Sequence, residues 1–215
     1  MTPLLIKSVK TAKSGRAATI TFADGTPLVL HGAVIQQYAP FPGQELTEDL
    51  LAHILRADES ARAKDAAARL LERRPRTRKE LSVALRRKKI GAGVIEEVLN
   101  ALVDSGLIND AAFAKQFARE RAARKDGPRR TRSELAARGV TREAAAEALS
   151  GSTSPESQYE AARALYEKWN RRTTPREPEK RARAVASFLA RRGHEMDVIR
   201  RVLREARAGI ASDDE

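Results

Sequence analysis

The chain has 215 residues, enough for one extended domain or two small ones, and 41% of them are hydrophobic but only 4% aromatic. That composition suits many alanine-rich helices around a thin core and argues against a thick sandwich or barrel. Forty-one Lys and Arg against 29 Asp and Glu leave a formal charge of +12, which answers a polyanion, nucleic acid first, or simply solubilises helix surfaces. Cys is absent, His31, His53 and His194 lack ligand-like spacing, and no stretch approaches a membrane span, so disulfides, metals and membranes are not expected.

From Leu4 to His31 apolar residues alternate, at Ala18, Ile20 and Phe22 and again at Leu28 and Leu30, with turns at Lys13-Ser14-Gly15 and Asp24-Gly25. This is a β-meander, and Asp-Gly suggests a type I′ turn with positive φ at both central residues. After Pro40-Phe41-Pro42-Gly43 the strands are expected to end, and Thr47 to cap a helix containing Leu50, Leu51, Ile54 and Leu55. Up to residue 57 five basic residues face four acidic ones, so the later helical part carries +11 of the +12.

That later part repeats. Thr77–Glu80, Thr131–Glu134 and Thr174–Glu177 each read Thr-x-x-Glu, the signature of a capping box, the third with Pro175 at the first helical position. Val94-Ile95-x-x-Val98-Leu99 recurs as Val198-Ile199-x-x-Val202-Leu203, and more thinly as Ala144-Ala145-x-x-Ala148-Leu149. Before each cap stand Ala66-Ala67-x-x-Leu70, Phe113-Ala114-x-x-Phe117 and Ala161-Ala162-x-x-Leu165. The expected fold is mainly α: three tandem three-helix repeats forming an elongated array, preceded by a small N-terminal β-meander. The expected boundaries are 1–57 for the meander with a short helix, 58–109, 110–151 and 152–210 for the repeats, and 211–215 for a disordered acidic tail.

With Leu81 and Leu85 on the buried face of the first repeat's middle helix, Lys79, Arg86 and Arg87 point outward. In the third repeat Ala182, Val185, Ala186 and Leu189 form the stripe, opposed by Lys180, Arg183 and Arg191. The second crowds Arg129, Arg130 and Arg132 at its helix start. The candidate binding residues are therefore Arg76, Arg78, Lys79, Arg86, Arg87, Lys88, Lys89, Arg129, Arg130, Arg132 and Arg183, spaced to suit a long anionic track.

The middle helices are poor in Asn and Gln, so DNA contact is expected to be with phosphates, weak in sequence preference and salt-sensitive. Trp169 reads as core and not as a base-stacking platform. No Gly-rich phosphate loop, Gly-x-Ser-x-Gly elbow or His-Glu-x-x-His helix is present, so neither catalytic residues nor a cofactor is expected. No coiled-coil seam is visible, which favours a monomer.

Gly106-Leu107-Ile108-Asn109-Asp110-x-x-Phe113-Ala114-x-x-Phe117, then Glu134-Leu135-x-x-Arg138-Gly139-Val140 and Phe188-Leu189-x-x-Arg192-Gly193, resembles the bacterial RecX family of recombinase regulators over roughly residues 60–207. Lys89 stands where the family commonly has Gly, so the turn after that helix is expected to differ. A cytoplasmic location is expected from the lack of a leader-like or membrane-spanning apolar stretch. The resemblance implies a non-enzymatic protein that binds the recombinase RecA in the groove of its DNA filament. It would restrain strand exchange, ATP hydrolysis and co-protease activity in DNA repair and the SOS response. The alternative is a stand-alone DNA-binding module or transcriptional regulator with little sequence preference.

Overall fold

A computed structural model describes residues 4–151, 154–172 and 177–212, with side chains as far as residue 207. The chain divides into two compact units, residues 1–108 and 109–215.

The first unit opens with β1 (Leu4–Thr11), β2 (Ala17–Phe22) and β3 (Pro27–His31), the expected meander. The Asp24-Gly25 turn is not type I′, since Gly25 has φ 89° but Asp24 is not left-handed. Asp24 instead accepts from the Thr26 N–H and hydroxyl, both at 2.8 Å, and these bonds hold its pKa below the usual carboxylate value. The result is a three-residue loop ending in a glycine bulge. Nor do the strands end at Pro40: after α1 (Gly32–Tyr38), β4 (Glu45–Leu46) returns to pair with Leu4 and Leu5, giving the sheet order β3-β2-β1-β4.

Thr47 caps α2 (Glu48–Arg73) by accepting from the Leu50 N–H. No Gly or Pro interrupts the chain between Gly43 and Pro75, and the helix runs unbroken for 26 residues. The boundary expected at 57/58 therefore falls inside one helix. Its first half covers the sheet, burying Ile54 against Ile6, Ile20 and Leu30 while Leu55 is left exposed. Its second half packs Ala63, Ala66 and Leu70 against α3 (Arg78–Arg87) and α4 (Ala92–Asp104), around Leu81, Leu85, Ile95 and Leu99.

In the second unit α5 (Asp110–Ala123), α6 (Pro128–Ala137) and α7 (Arg142–Ser150) enclose Ala114, Leu135 and Leu149. Then α8 (Pro155–Asn170), α9 (Pro178–Arg191) and α10 (Met196–Ser212) enclose Tyr159, Leu165, Leu189 and Ile199, with Trp169 packed at the edge of that core. The apolar i, i+1, i+4, i+5 stripes are what these cores are made of. Asn109 within Gly-Leu-Ile-Asn-Asp caps α5 by accepting from the Ala112 N–H at 2.8 Å.

The capping expectations divide. Thr77 caps α3, its hydroxyl 3.2 Å from the Glu80 N–H it accepts. Thr131 does not cap: α6 starts a turn earlier, at Pro128 after Gly127, and the buried Thr131 hydroxyl donates to the Gly127 carbonyl at 3.1 Å. Thr174 and Pro175 lie outside the described residues, as do Asp213-Asp214-Glu215, and α9 begins at Pro178.

The turn at Lys89 does not differ. Lys89 takes φ 62°, as Gly139 takes 83° and Gly193 takes 87°. The next residue's N–H closes back on the helix in all three: Ile90 to Leu85, Val140 to Leu135 and His194 to Leu189. A side chain in this conformation costs roughly 1 kcal/mol. Lys89→Gly is therefore expected to raise stability by up to about 1 kcal/mol, less the entropy glycine returns to the unfolded chain, read from urea denaturation midpoints.

Candidate polyanion-binding surfaces

In the first unit the predicted cations have separate fates. The half-buried Arg76 donates from Nε to the Leu70 carbonyl at 3.2 Å, and the half-buried Arg78 reaches Glu96 at 2.6 Å and Asn100 at 2.8 Å. These two hold the repeat together, joined by the Arg74–Glu80 pair. Lys79, Arg86, Arg87, Lys88 and Lys89 are exposed and make no ion pair among the described residues. Positions 79, 83, 86 and 87 share one side of α3, so the exposed Val83 sits among these cations.

In the second unit Arg129 is exposed and unpaired among the described residues, whereas Arg130 donates to Glu134 at 2.9 Å and lies 3.8 Å from Asp126. Its hydrogen bond to Glu134, then the Asp126 charge, raise its already high pKa. Arg132 lies 3.7 Å from Glu195 and Arg183 3.8 Å from Glu179. Both are loose surface pairs, worth about 0–1 kcal/mol each.

A feature with no sequence-local signal lies where the second and third repeats meet. Gly127 donates its N–H to the Arg192 carbonyl at 2.8 Å, Arg129 to the Gly193 carbonyl at 3.0 Å, and His194 Nε2 stands 3.1 Å from the Lys125 carbonyl. The C-terminal end of α9 thus satisfies the first N–H groups of α6, and carbonyls meet amides as the two helix dipoles require. The buried Asp126 carboxylate is held by Arg121 and Arg192, each at 3.1 Å. Glu134 is likewise surrounded by Arg121, Arg130 and Arg138.

His194 is 1% exposed, and its burial lowers its pKa from 6.5, only partly offset by the Lys125 hydrogen bond and the Asp126 charge, with Arg192 lowering it further. Accepting a proton is harder in the folded state than in the unfolded one, so this residue's contribution is intact above about pH 6.5 and is lost as the pH falls below it. His194→Gln, which keeps a donor for Lys125, is expected to flatten the loss of urea resistance between pH 7.5 and 5.5. An unchanged pH slope in that variant would assign the loss to other groups.

Among the described residues no group of side chains could hold a metal ion, and no helix is long and apolar enough to cross a membrane. Family models for the first, second and third RecX three-helix domains match residues 63–102, 109–149 and 156–203. The regulatory protein RecX of Chromohalobacter salexigens is 40% identical over 148 residues, covering 69% of this chain and 95% of the relative. That of Geobacillus kaustophilus is 32% identical over 188 residues, covering 86% and 70%. A crystal structure of regulatory protein RecX superposes with a TM-score of 0.70 at 26% identity, over 93% of this chain and 98% of that one. RecX from Lactobacillus salivarius gives a TM-score of 0.63 at 29% identity, over 69% and 97%. Three matched helical domains in order, behind an antiparallel sheet, place the chain in the RecX family of regulatory proteins.

Proposed function

We propose that this protein binds the recombinase RecA on DNA and restrains its ATP hydrolysis, strand exchange and co-protease activity without chemistry of its own. The observation that carries the reading is the outer side of α3, where Lys79, Arg86 and Arg87 are exposed and unpaired among the described residues around Val83. Cations around an exposed apolar side chain suit an acidic protein surface better than a bare phosphate chain, because protein interfaces combine an apolar centre with a polar rim. Family membership and the net charge of +12 support the same reading. Arg76 and Arg78, occupied within the repeat, are proposed as supports for this surface, with Lys89 at its edge.

A regulator that holds neighbouring recombinase subunits together would oppose the movements that ATP turnover requires. In a RecA ATPase titration on single-stranded DNA, the wild-type protein is expected to suppress hydrolysis. The K79E/R86E/R87E variant should need at least ten times more protein, with an unchanged urea midpoint. No suppression by saturating wild-type protein sinks the proposal. Tight binding to one preferred duplex without recombinase would favour a stand-alone DNA-binding protein instead.

A further inference from the structure

We infer that the seam between the second and third repeats is a nucleic-acid phosphate-binding surface, with Arg124, Lys125, Arg129 and Arg191 as its contacts. The four come from the end of α5, the start of α6 and the end of α9. All are exposed and make no ion pair among the described residues. Arg191 lies 62 or more positions along the chain from the others, yet the Gly127–Arg192 and Arg129–Gly193 backbone bonds bring these segments together.

The local carboxylates do not cancel this charge. Asp126 is buried beneath Arg121 and Arg192, Glu134 is enclosed by three arginines, and Glu195 faces Arg132. Exposed Glu120, one turn before Arg124 and hydrogen-bonded to Gln116, offsets one of the four cations, so the seam is left with a net positive field. Nor does the start of α6 supply the site, because Gly193 occupies the Arg129 N–H.

The choice of nucleic acid over an acidic protein rests on what accompanies the cations. Unit 1 exposes Leu5, Val29, Phe41, Leu55, Val83, Val103 and Leu107, whereas Met196 is the large exposed apolar side chain among the described residues of unit 2. A surface of cations without an apolar centre matches a phosphodiester backbone, where positively charged side chains supply affinity but not base choice. The inference deepens the proposed function by separating a protein-facing surface on α3 from a phosphate-facing one at the seam. It does not depend on recombinase binding.

The test is fluorescence anisotropy of the full chain with labelled 30-base single-stranded and 30-base-pair duplex DNA of mixed sequence, without recombinase, from 50 to 200 mM salt. The R124Q/K125Q/R129Q/R191Q variant is expected to bind duplex at least tenfold more weakly at 100 mM salt. Its log–log salt slope on duplex should be shallower by about 3.6, because each of the four phosphate contacts contributes about 0.9. An unchanged urea midpoint establishes that the fold is intact. Wild-type protein that does not bind at 50 mM salt, or a variant within threefold of wild type with the same slope, overturns the inference. Loss of DNA binding in this variant stands even where the wild-type protein leaves RecA ATPase untouched, so the two failures are distinguishable.

Discussion

Replacing Asp126 with Ala is expected to lower the stability of the protein by about 3 kcal/mol, a loss that urea denaturation at pH 7.5 reads directly. The carboxylate is almost fully buried, and two guanidinium groups converge on it at 3.1 Å. Removing the anion from a buried ion pair leaves a poorly hydrated charge uncompensated, which is why such a change costs about 3–5 kcal/mol. The lower end applies because Arg192 is partly hydrated and Arg121 retains Glu134 and its place over the Phe117 ring, 4.8 Å away. Asp126→Asn should lose less, since its amide oxygen still accepts one hydrogen bond. The double variant Asp126→Ala with Arg192→Ala should lose less than the sum of its parts, because the second change removes a stranded charge. A loss under about 1 kcal/mol for Asp126→Ala would mean that water replaces the carboxylate and that the seam is not held by it.

What could be read from the sequence follows the range of the interaction concerned. The apolar stripes of α4, α7 and α10 and the cap at Thr77 are decided within one or two helical turns, and each falls where periodicity puts it. Thr131 carries the same local motif and fails as a cap because Gly127-Pro128 starts the helix a turn earlier, a competition the Thr-x-x-Glu spacing cannot register. Helix α1 has seven residues, too few for its period to show, and β4 is a strand only because β1 is beside it. Adjacent cations diverge in the same way. Arg78 turns to Glu96 on α4, while Lys79 stays exposed, because the acid is supplied by another helix. The seam is the extreme case: Asp126 and Arg192 are 66 positions apart, and nothing near either residue announces the other.

Gly127→Ala is expected to destabilise the second unit by about 3 kcal/mol without altering any charge. A Cβ at Gly127 would stand 2.2 Å from the Gly193 carbonyl carbon and 2.3 Å from the His194 nitrogen, backbone atoms that cannot swing aside. Overpacking of this kind costs about 1–3 kcal/mol where the surroundings give, and here relief requires parting the two repeats. At Gly193 two effects add: φ is +87°, and a Cβ would meet the Arg130 backbone nitrogen at 2.4 Å. Gly106→Ala separates them, since φ there is +73° but nothing lies within 4 Å, so only the roughly 1 kcal/mol conformational cost should appear. Gly93→Ala, unstrained and uncrowded, should change stability by less than about 1 kcal/mol. If the seam is what gathers Arg124, Lys125, Arg129 and Arg191, Gly127→Ala should also weaken binding to naked duplex several-fold while Gly106→Ala leaves it unchanged. Undiminished binding by a Gly127→Ala protein with a clearly lowered urea midpoint would show that the four cations act without being held together by this contact.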